Sequence, residues 1–229
     1  MKMNEIRSLV ANNPAEPKRR QRIEIVAHDQ RPRFDIELPD RFVLFAGKLA
    51  RSKGAWLALE GFAALADRRA VLLMVGEGPD RSRLETAARE RGLAVRFLPW
   101  VDNHEVWRIM RRAAAILVPS LWPESLSRTV TEAMAVGVPI IATDCGGIHD
   151  QIRHHESGAV LPPDPAAFAA EMARVLADPA LGRAWAERAR QAVAARFDDA
   201  AVLPRIEAVY AEAIEGKRGR GTVLAGGEH

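Results

Sequence analysis

Phe42-Val43-Leu44-Phe45-Ala46-Gly47-Lys48-Leu49-Ala50-Arg51-Ser52-Lys53-Gly54, followed by the helix-forming residues 55–68, decides how this chain folds. An apolar run stops at a glycine, a polar loop follows, and apolar residues then return at helical spacing. That order is a buried strand, a turn and an amphipathic helix. The unit recurs along the chain. Val71–Val75, Val95–Leu98, Ala115–Val118 and Ile140–Thr143 are further short apolar runs, while residues 81–91, 104–113 and 128–136 have helical spacing. Strands apolar on both faces that alternate with helices imply parallel crossovers. The expected fold class is therefore α/β, a doubly wound parallel sheet with helices on both sides. After residue 163 the chain reads as a helical C-terminal tail, with apolar periodicity in residues 168–176, 181–193 and 202–214.

Composition narrows the class. The 229 residues are 48% hydrophobic, 28% charged and 6% aromatic. Those values argue against a disordered chain, a collagen-like repeat or a disulfide scaffold. The net charge is only +3, and five lysines against 28 arginines point to coding bias, so no nucleic-acid partner is expected. Cys145 is the single cysteine, which rules out an intrachain disulfide and makes the cytoplasm the expected location. No stretch approaches the ~18 consecutive apolar residues of a membrane span, so no transmembrane span is expected and attachment to a membrane surface stays open. Residues 1–40 are polar, proline-bearing and basic around Lys18-Arg19-Arg20, and read as a linker or interdomain arm. Residues 41–215 form the domain, and the basic, glycine-rich residues 216–229 read as a flexible tail.

In a doubly wound sheet ligands sit at the carboxyl ends of the strands, where the strand order reverses. The loops at residues 47–54, 76–79, 99–103, 119–127 and 144–147 therefore matter most. In the first, Lys48 and Lys53 precede a helix and suit an anion, although two solvated lysines would read the same. Gly76-Glu77-Gly78 lacks the third glycine of a dinucleotide fingerprint and reads as a tight turn, with Pro79 opening the helix. In the fourth loop Glu124 precedes a helix that contains Glu132. The two carboxylates suit hydroxyl groups, and the helix amides between them suit an anion. Thr129-Val130-Thr131-Glu132 also matches a capping box, in which Glu132 merely closes the helix start, and Glu124 reads equally as a solvated loop carboxylate. The histidines form no ligand pair and Cys145 lies in a glycine-rich loop, so neither a metal nor a thiol nucleophile is expected.

The combination resembles the C-terminal, nucleotide-sugar-binding domain of retaining glycosyltransferases of the group 1 type, family 4, with the GT-B fold. The resemblance covers roughly residues 42–215. It is carried by Gly47-Lys48-Leu49 with Lys53-Gly54, Val75-Gly76-Glu77-Gly78-Pro79, Val118-Pro119-Ser120, Glu124 through Glu132-Ala133-Met134-Ala135, Gly137-Val138-Pro139, Gly146-Gly147-Ile148 and Ser157-Gly158. It implies a Rossmann-like domain in which Lys48 and Lys53 hold the donor diphosphate, Glu132 the ribose and Glu124 the sugar, with Gly47 among the donor-binding residues. Ser127, Arg128 and Thr129 would meet the distal phosphate or the sugar, and the backbone near Trp100 and Val101 the base. Of these, Lys48, Lys53 and Glu124 are the expected catalytic residues. No cofactor is implied beyond the nucleotide-diphosphate sugar itself, and no metal.

The implied activity is hexosyltransferase-like transfer (class EC 2.4) to a saccharide, lipid-linked sugar or small-molecule acceptor. Physical chemistry agrees, because two ammonium groups and a helix amino terminus stabilise a departing diphosphate without a metal. Lys48 stands where the family has arginine, and Ser125-Leu126-Ser127 where it has Gly-Phe-Gly or similar. Nothing in the chain resembles the family's N-terminal acceptor domain apart from a faint match of residues 6–14 to the strand that links the halves. The expectation is thus a donor domain inactive as an isolated chain, its N-terminal domain or partner subunit missing. The alternative is a non-catalytic nucleotide-sugar-binding or interaction module. In the family the last helix, here carrying Leu203, Ile206, Tyr210 and Ile214, crosses toward the other domain.

Overall fold

The computed structural model describes residues 36–223, with side chains through residue 214. Residues 1–35 and 224–229, which carry most of the expected arm and the end of the expected tail, lie outside the described residues. Five strands sit where the apolar runs place them: β1 (Phe42–Ala46), β2 (Val71–Val75), β3 (Val95–Leu98), β4 (Ala115–Val118) and β5 (Ile140–Thr143). A sixth, β6 (Ala159–Leu161), is an edge strand of three residues, too short to stand out as a run. All pairings are parallel, in the order β3-β2-β1-β4-β5-β6. The order of strands therefore reverses between β1 and β4, and their carboxyl ends flank the crevice where ligands of such sheets bind.

The helices are α1 (Ala55–Ala64), α2 (Arg81–Glu90), α3 (Asn103–Arg112), α4 (Arg128–Val136), α5 (Ile148–Gln151), α6 (Pro165–Ala177), α7 (Pro179–Phe197) and α8 (Asp199–Val223). Strand side chains alternate between the faces. Val43, Phe45, Leu72, Met74 and Leu117 pack on one face with Phe62 of α1, Leu84 of α2, Phe168 and Met172 of α6 and Trp185 of α7. Phe42, Leu44, Leu73, Val75 and Ile116 pack on the other with Ile109 of α3, Val130 and Met134 of α4 and Ile148 of α5. Both faces are covered, so the strands read as continuous apolar runs.

Three boundaries differ from the sequence reading. Leu38 is buried and Ile36 packs beside it, so the end of the stretch assigned to the arm docks on the core. α8 continues through residues 216–223, which composition assigns to the tail. Pro79 does not open α2, which begins at Arg81 behind Asp80. On α8, Leu203, Ile206, Val209 and Tyr210 are exposed. Among the described residues no helix is long and apolar enough to cross a membrane.

Candidate functional site

Two loops meet at the strand reversal. After β1, residues 47–54 bend through a single 3-10 turn at Arg51–Lys53, and Gly54 adopts a left-handed conformation at φ 71°. A Cβ on Gly54 would lie 1.7 Å from the Pro119 carbonyl oxygen, so only glycine lets the β1 loop touch the β4 loop. The Leu121 amide donates to the Ser52 carbonyl at 2.9 Å across the same contact. The β2 loop supports this arrangement from the other side. A Cβ on Gly76 would lie 2.1 Å from the Gly47 carbonyl and one on Gly78 2.2 Å from that of Leu49, while the Leu49 amide donates to the Glu77 carbonyl at 2.8 Å. Gly76 and Gly78 thus serve close approach of the lysine loop.

The β4 loop is held by the β5 loop. The Gly147 amide donates to the Glu124 carbonyl at 2.7 Å, and a Cβ on Gly146 would lie 2.4 Å from that same oxygen. Below it, the Thr143 hydroxyl donates to the Ser120 carbonyl at 2.5 Å. The Glu124 carboxylate accepts from the Ser120 hydroxyl at 3.2 Å and pairs with the Lys53 ammonium. At 45% and 23% side-chain exposure the pair is partly solvated, and pairs of this kind contribute little to stability. It does hold a cation and a carboxylate from two loops side by side.

α4 begins at Ser127, whose hydroxyl accepts from the Val130 amide at 3.5 Å. This replaces the capping-box alternative: the cap lies two residues before Thr129, and Glu132 sits one turn inside the helix, where it caps nothing. Glu132 lies 3.6 Å from the exposed Arg128 guanidinium, four residues earlier. The first amides of a helix have no intrahelical acceptor. Ser127 is buried and its own amide is taken by Gln151, which leaves those of Arg128 and Thr129 as the first available donors.

A cleft of about 340 Å³ opens over these elements, lined by Gly47, Lys48, Gly76, Glu77, Trp100, Val101, Asn103, Arg128, Thr129 and Glu132, among others. It brings together Gly47, Lys48, Trp100, Val101, Arg128, Thr129 and Glu132 of the residues singled out in the sequence. Lys53, Glu124 and Ser127 are not among its lining residues. Lys53 and Glu124 stand paired in the adjoining loops. Ser127 is buried with its amide held by Gln151, so, contrary to expectation, it does not meet a ligand in the cleft. Lys48 is exposed and has no ion-pair partner among the described residues. Trp100 is 70% exposed at the rim, and Val101 is buried beneath it. An ammonium group and a helix amino terminus can hold an anion here, with a carboxylate one turn away to accept hydroxyl groups. Among the described residues no group of three or more His, Cys, Asp or Glu side chains is placed to hold a metal ion. Sequence reading passed over Gln151, the two glycines as clamps on Glu124, and Asn103 and Glu77 in the lining. Glu77, Asn103 and the Gly146-Gly147 pair lie in strand-end loops that the sequence marks, whereas Gln151 carried no signal.

Comparison with known proteins gives a consistent set of likenesses. Residues 27–192 match the family model for glycosyl transferases group 1. The 2-deoxystreptamine glucosyltransferase of Streptomyces kanamyceticus is 35% identical over 153 residues, covering 62% of this chain and 39% of that protein. The structure of sucrose-phosphate synthase from Thermosynechococcus elongatus superposes with a TM-score of 0.68 at 30% identity, over 77% of this chain and 46% of that one. Anabaena HepE, solved in complex with UDP-glucose, superposes with a TM-score of 0.68 at 21% identity, over 76% of this chain and 49% of that one. The chain spans less than half the length of these proteins, and its sheet has the architecture of a GT-B domain.

Proposed function

The chain belongs to the group 1 glycosyltransferases, and from that membership we propose that it is the donor-binding half of a retaining, metal-independent sugar transferase. It holds a nucleoside diphosphate sugar at the carboxyl edge of the sheet, and the sugar passes to a saccharide, lipid-linked sugar or small-molecule acceptor held by an N-terminal domain or partner subunit. The observation that carries the reading is the convergence of Lys48, the α4 amino terminus and Glu132 on one cleft at the β1/β4 reversal, with the Lys53–Glu124 pair beside it. The UDP-glucose in HepE supports this ligand class.

Transfer breaks the bond between the anomeric carbon and a diphosphate oxygen, and the electron pair stays on the diphosphate. The acceptor hydroxyl passes its proton to the departing diphosphate oxygen and bonds that carbon on the face the diphosphate left. Lys48, Lys53 and the amides of Arg128 and Thr129 stabilise the charge that develops on the leaving group, and being preorganised they do so without a metal. Glu132 accepts the ribose hydroxyls and Glu124 those of the sugar. The backbone at Trp100 and Val101 meets the base, and Gly47 lets the diphosphate approach the main chain. Lys53 leaves Glu124 as the donor enters, so each gains a ligand partner in place of the other.

Calorimetry of the 229-residue chain with UDP, GDP, ADP and their glucose esters, with and without chelator, tests this. The expected result is binding of at least one diphosphate and its sugar ester, unchanged by chelator, with no sugar transfer by the isolated chain. Failure to bind any of them, or binding only with a divalent ion, overturns the reading. Robust transfer by the purified monomer overturns its claim that a second half is needed.

A further inference from the structure

Gln151, the last residue of α5, is 2% exposed, and its side-chain amide is fully engaged. Its Oε1 accepts from the Ser127 amide at 2.8 Å, and its Nε2 donates to the Ser127 carbonyl at 3.0 Å and to the Thr131 hydroxyl oxygen at 2.8 Å. One acceptor and two donors meet one donor and two acceptors. The flipped amide would set like against like at both Ser127 contacts, N–H against NH2 and C=O against C=O, so the backbone fixes its orientation, while the Thr131 hydroxyl could serve either way. Bonds to both the N–H and the C=O of one residue are what a neighbouring strand makes, and here a side chain makes them at a helix cap.

We infer that Gln151 is a positioning residue for the anion site, fixing the peptide plane that aims the Arg128 amide into the cleft. This rests on the nucleoside diphosphate site proposed above. The Ser127 carbonyl and the Arg128 N–H belong to one planar trans unit and point in opposite directions. Holding that carbonyl toward Gln151 turns the N–H away from it, on the residue that lines the cleft. The Ser127 hydroxyl, 3.5 Å from the Val130 amide, is a long cap bond. The Thr131 amide and hydroxyl reach the Ser127 carbonyl at 3.1 and 3.2 Å, so Gln151 shares that carbonyl and alone adds a hold on the Ser127 N–H. The same short segment also bonds the Glu124 carbonyl through the Gly147 amide. Residues 146–151 thus splint the loop at both ends and set the spacing between Glu124 and the start of α4.

The test takes whichever of UDP, GDP and ADP the wild-type chain binds best, together with its parent nucleoside. Both are titrated by NMR into wild type, Gln151→Met and Gln151→Glu, with melting temperatures recorded. Methionine fills the same volume without the hydrogen bonds. Gln151→Met is expected to lose about tenfold in diphosphate affinity, the order for a bond to a charged group, with nucleoside affinity unchanged. Gln151→Glu is expected to lose at least as much at pH 7.5 and to recover relative to wild type toward pH 5, because a protonated carboxyl again offers one donor and one acceptor. If Gln151→Met does not fold, the pH dependence of Gln151→Glu decides. Equal loss for diphosphate and nucleoside makes Gln151 a general anchor of the fold and overturns the inference, as does no loss for either. Absence of diphosphate binding by wild type overturns the proposed function itself.

Discussion

A cleft opens at each end of the sheet, and the larger of the two is at the wrong end for a donor. The amino-end groove, about 610 Å³, is lined by Arg41, Arg111, Arg183 and Arg190 with Glu187; the carboxyl-end cleft is about 340 Å³ and has two cationic side chains in its lining, Lys48 and Arg128. Backbone polarity separates them. α3, α4 and α6 end at the amino-end groove, so carbonyls face it, and Arg41 donates to the Leu176 carbonyl at 2.9 Å. α7 begins there at Pro179, but proline has no N–H and the Asp178 carboxylate already accepts from the Ala180 and Leu181 amides. The guanidiniums there offset helix carboxyl ends. At the carboxyl end α4 begins, and its amides add to Lys48. Neither volume nor arginine count locates an anion site in such a fold; helix-start amides left without an acceptor do.

Several changes would break or sharpen this contrast. The largest effect is expected from Gly54→Ala, which forces a Cβ against the Pro119 carbonyl at positive φ and should cost about 3 kcal/mol or more. Gly92→Ala, in the turn after α2 at the amino end, has φ 61° but nothing within 4 Å, and should cost only about 1 kcal/mol. Chemical denaturation of both variants compares them, and equal costs would mean that the two loops do not need their close contact. Next, Lys48→Gln should weaken nucleoside diphosphate binding roughly ten- to a hundredfold, while Arg111→Gln with Arg183→Gln leaves it within about twofold. A comparable loss from the arginine pair would erase the difference between the ends.

Within the carboxyl end, Glu132→Gln should weaken diphosphate and sugar ester alike by about tenfold, and Glu124→Gln the sugar ester alone. A silent Glu132→Gln at full folding would remove the ribose role. The smallest effect belongs to Asp67, beside Arg41. The Arg69 amide, helped by the Arg69 and Arg41 side chains, holds its carboxyl below the ordinary value of 3.8. Its contribution is therefore fully present above that value and lost as pH falls below it. Asp67→Asn should lower the melting temperature slightly at pH 7, and the gap to wild type should close in acid. A gap that persists there assigns the effect to packing.

The sheet was legible because its inner strands are buried on both faces, and Phe42–Ala46 and Val71–Val75 leave no polar position to blur the run; only the edge strand β3 carries an exposed polar residue, Arg96. β6 escaped because its three residues are an edge piece anchored by pairing with β5, a tertiary fact. The cleft residues were legible as types in loops at strand ends. That Lys53 would meet Glu124 was not, because it depends on Gly54 allowing two loops, remote in sequence, to touch. Glu132 shows the limit of local pattern. Thr129 and Glu132 have capping-box spacing, but Ser127 lies two residues earlier and Gln151, 24 residues away, holds it as the cap. The local pattern pointed to Thr129, and the cap lies instead at Ser127, where a tertiary contact holds it.

Amide NMR of the isotope-labelled 229-residue chain, titrated with UDP, GDP and ADP in the presence of chelator, puts the anion site at one end of the sheet or the other. The expected outcome is that at least one diphosphate shifts the amides of Gly47, Trp100, Val101, Arg128 and Thr129, with those of Ala113, Gly137 and Gly182 unmoved. Shifts centred on Ala113, Gly137 and Gly182, with the carboxyl-end amides unchanged, would contradict it.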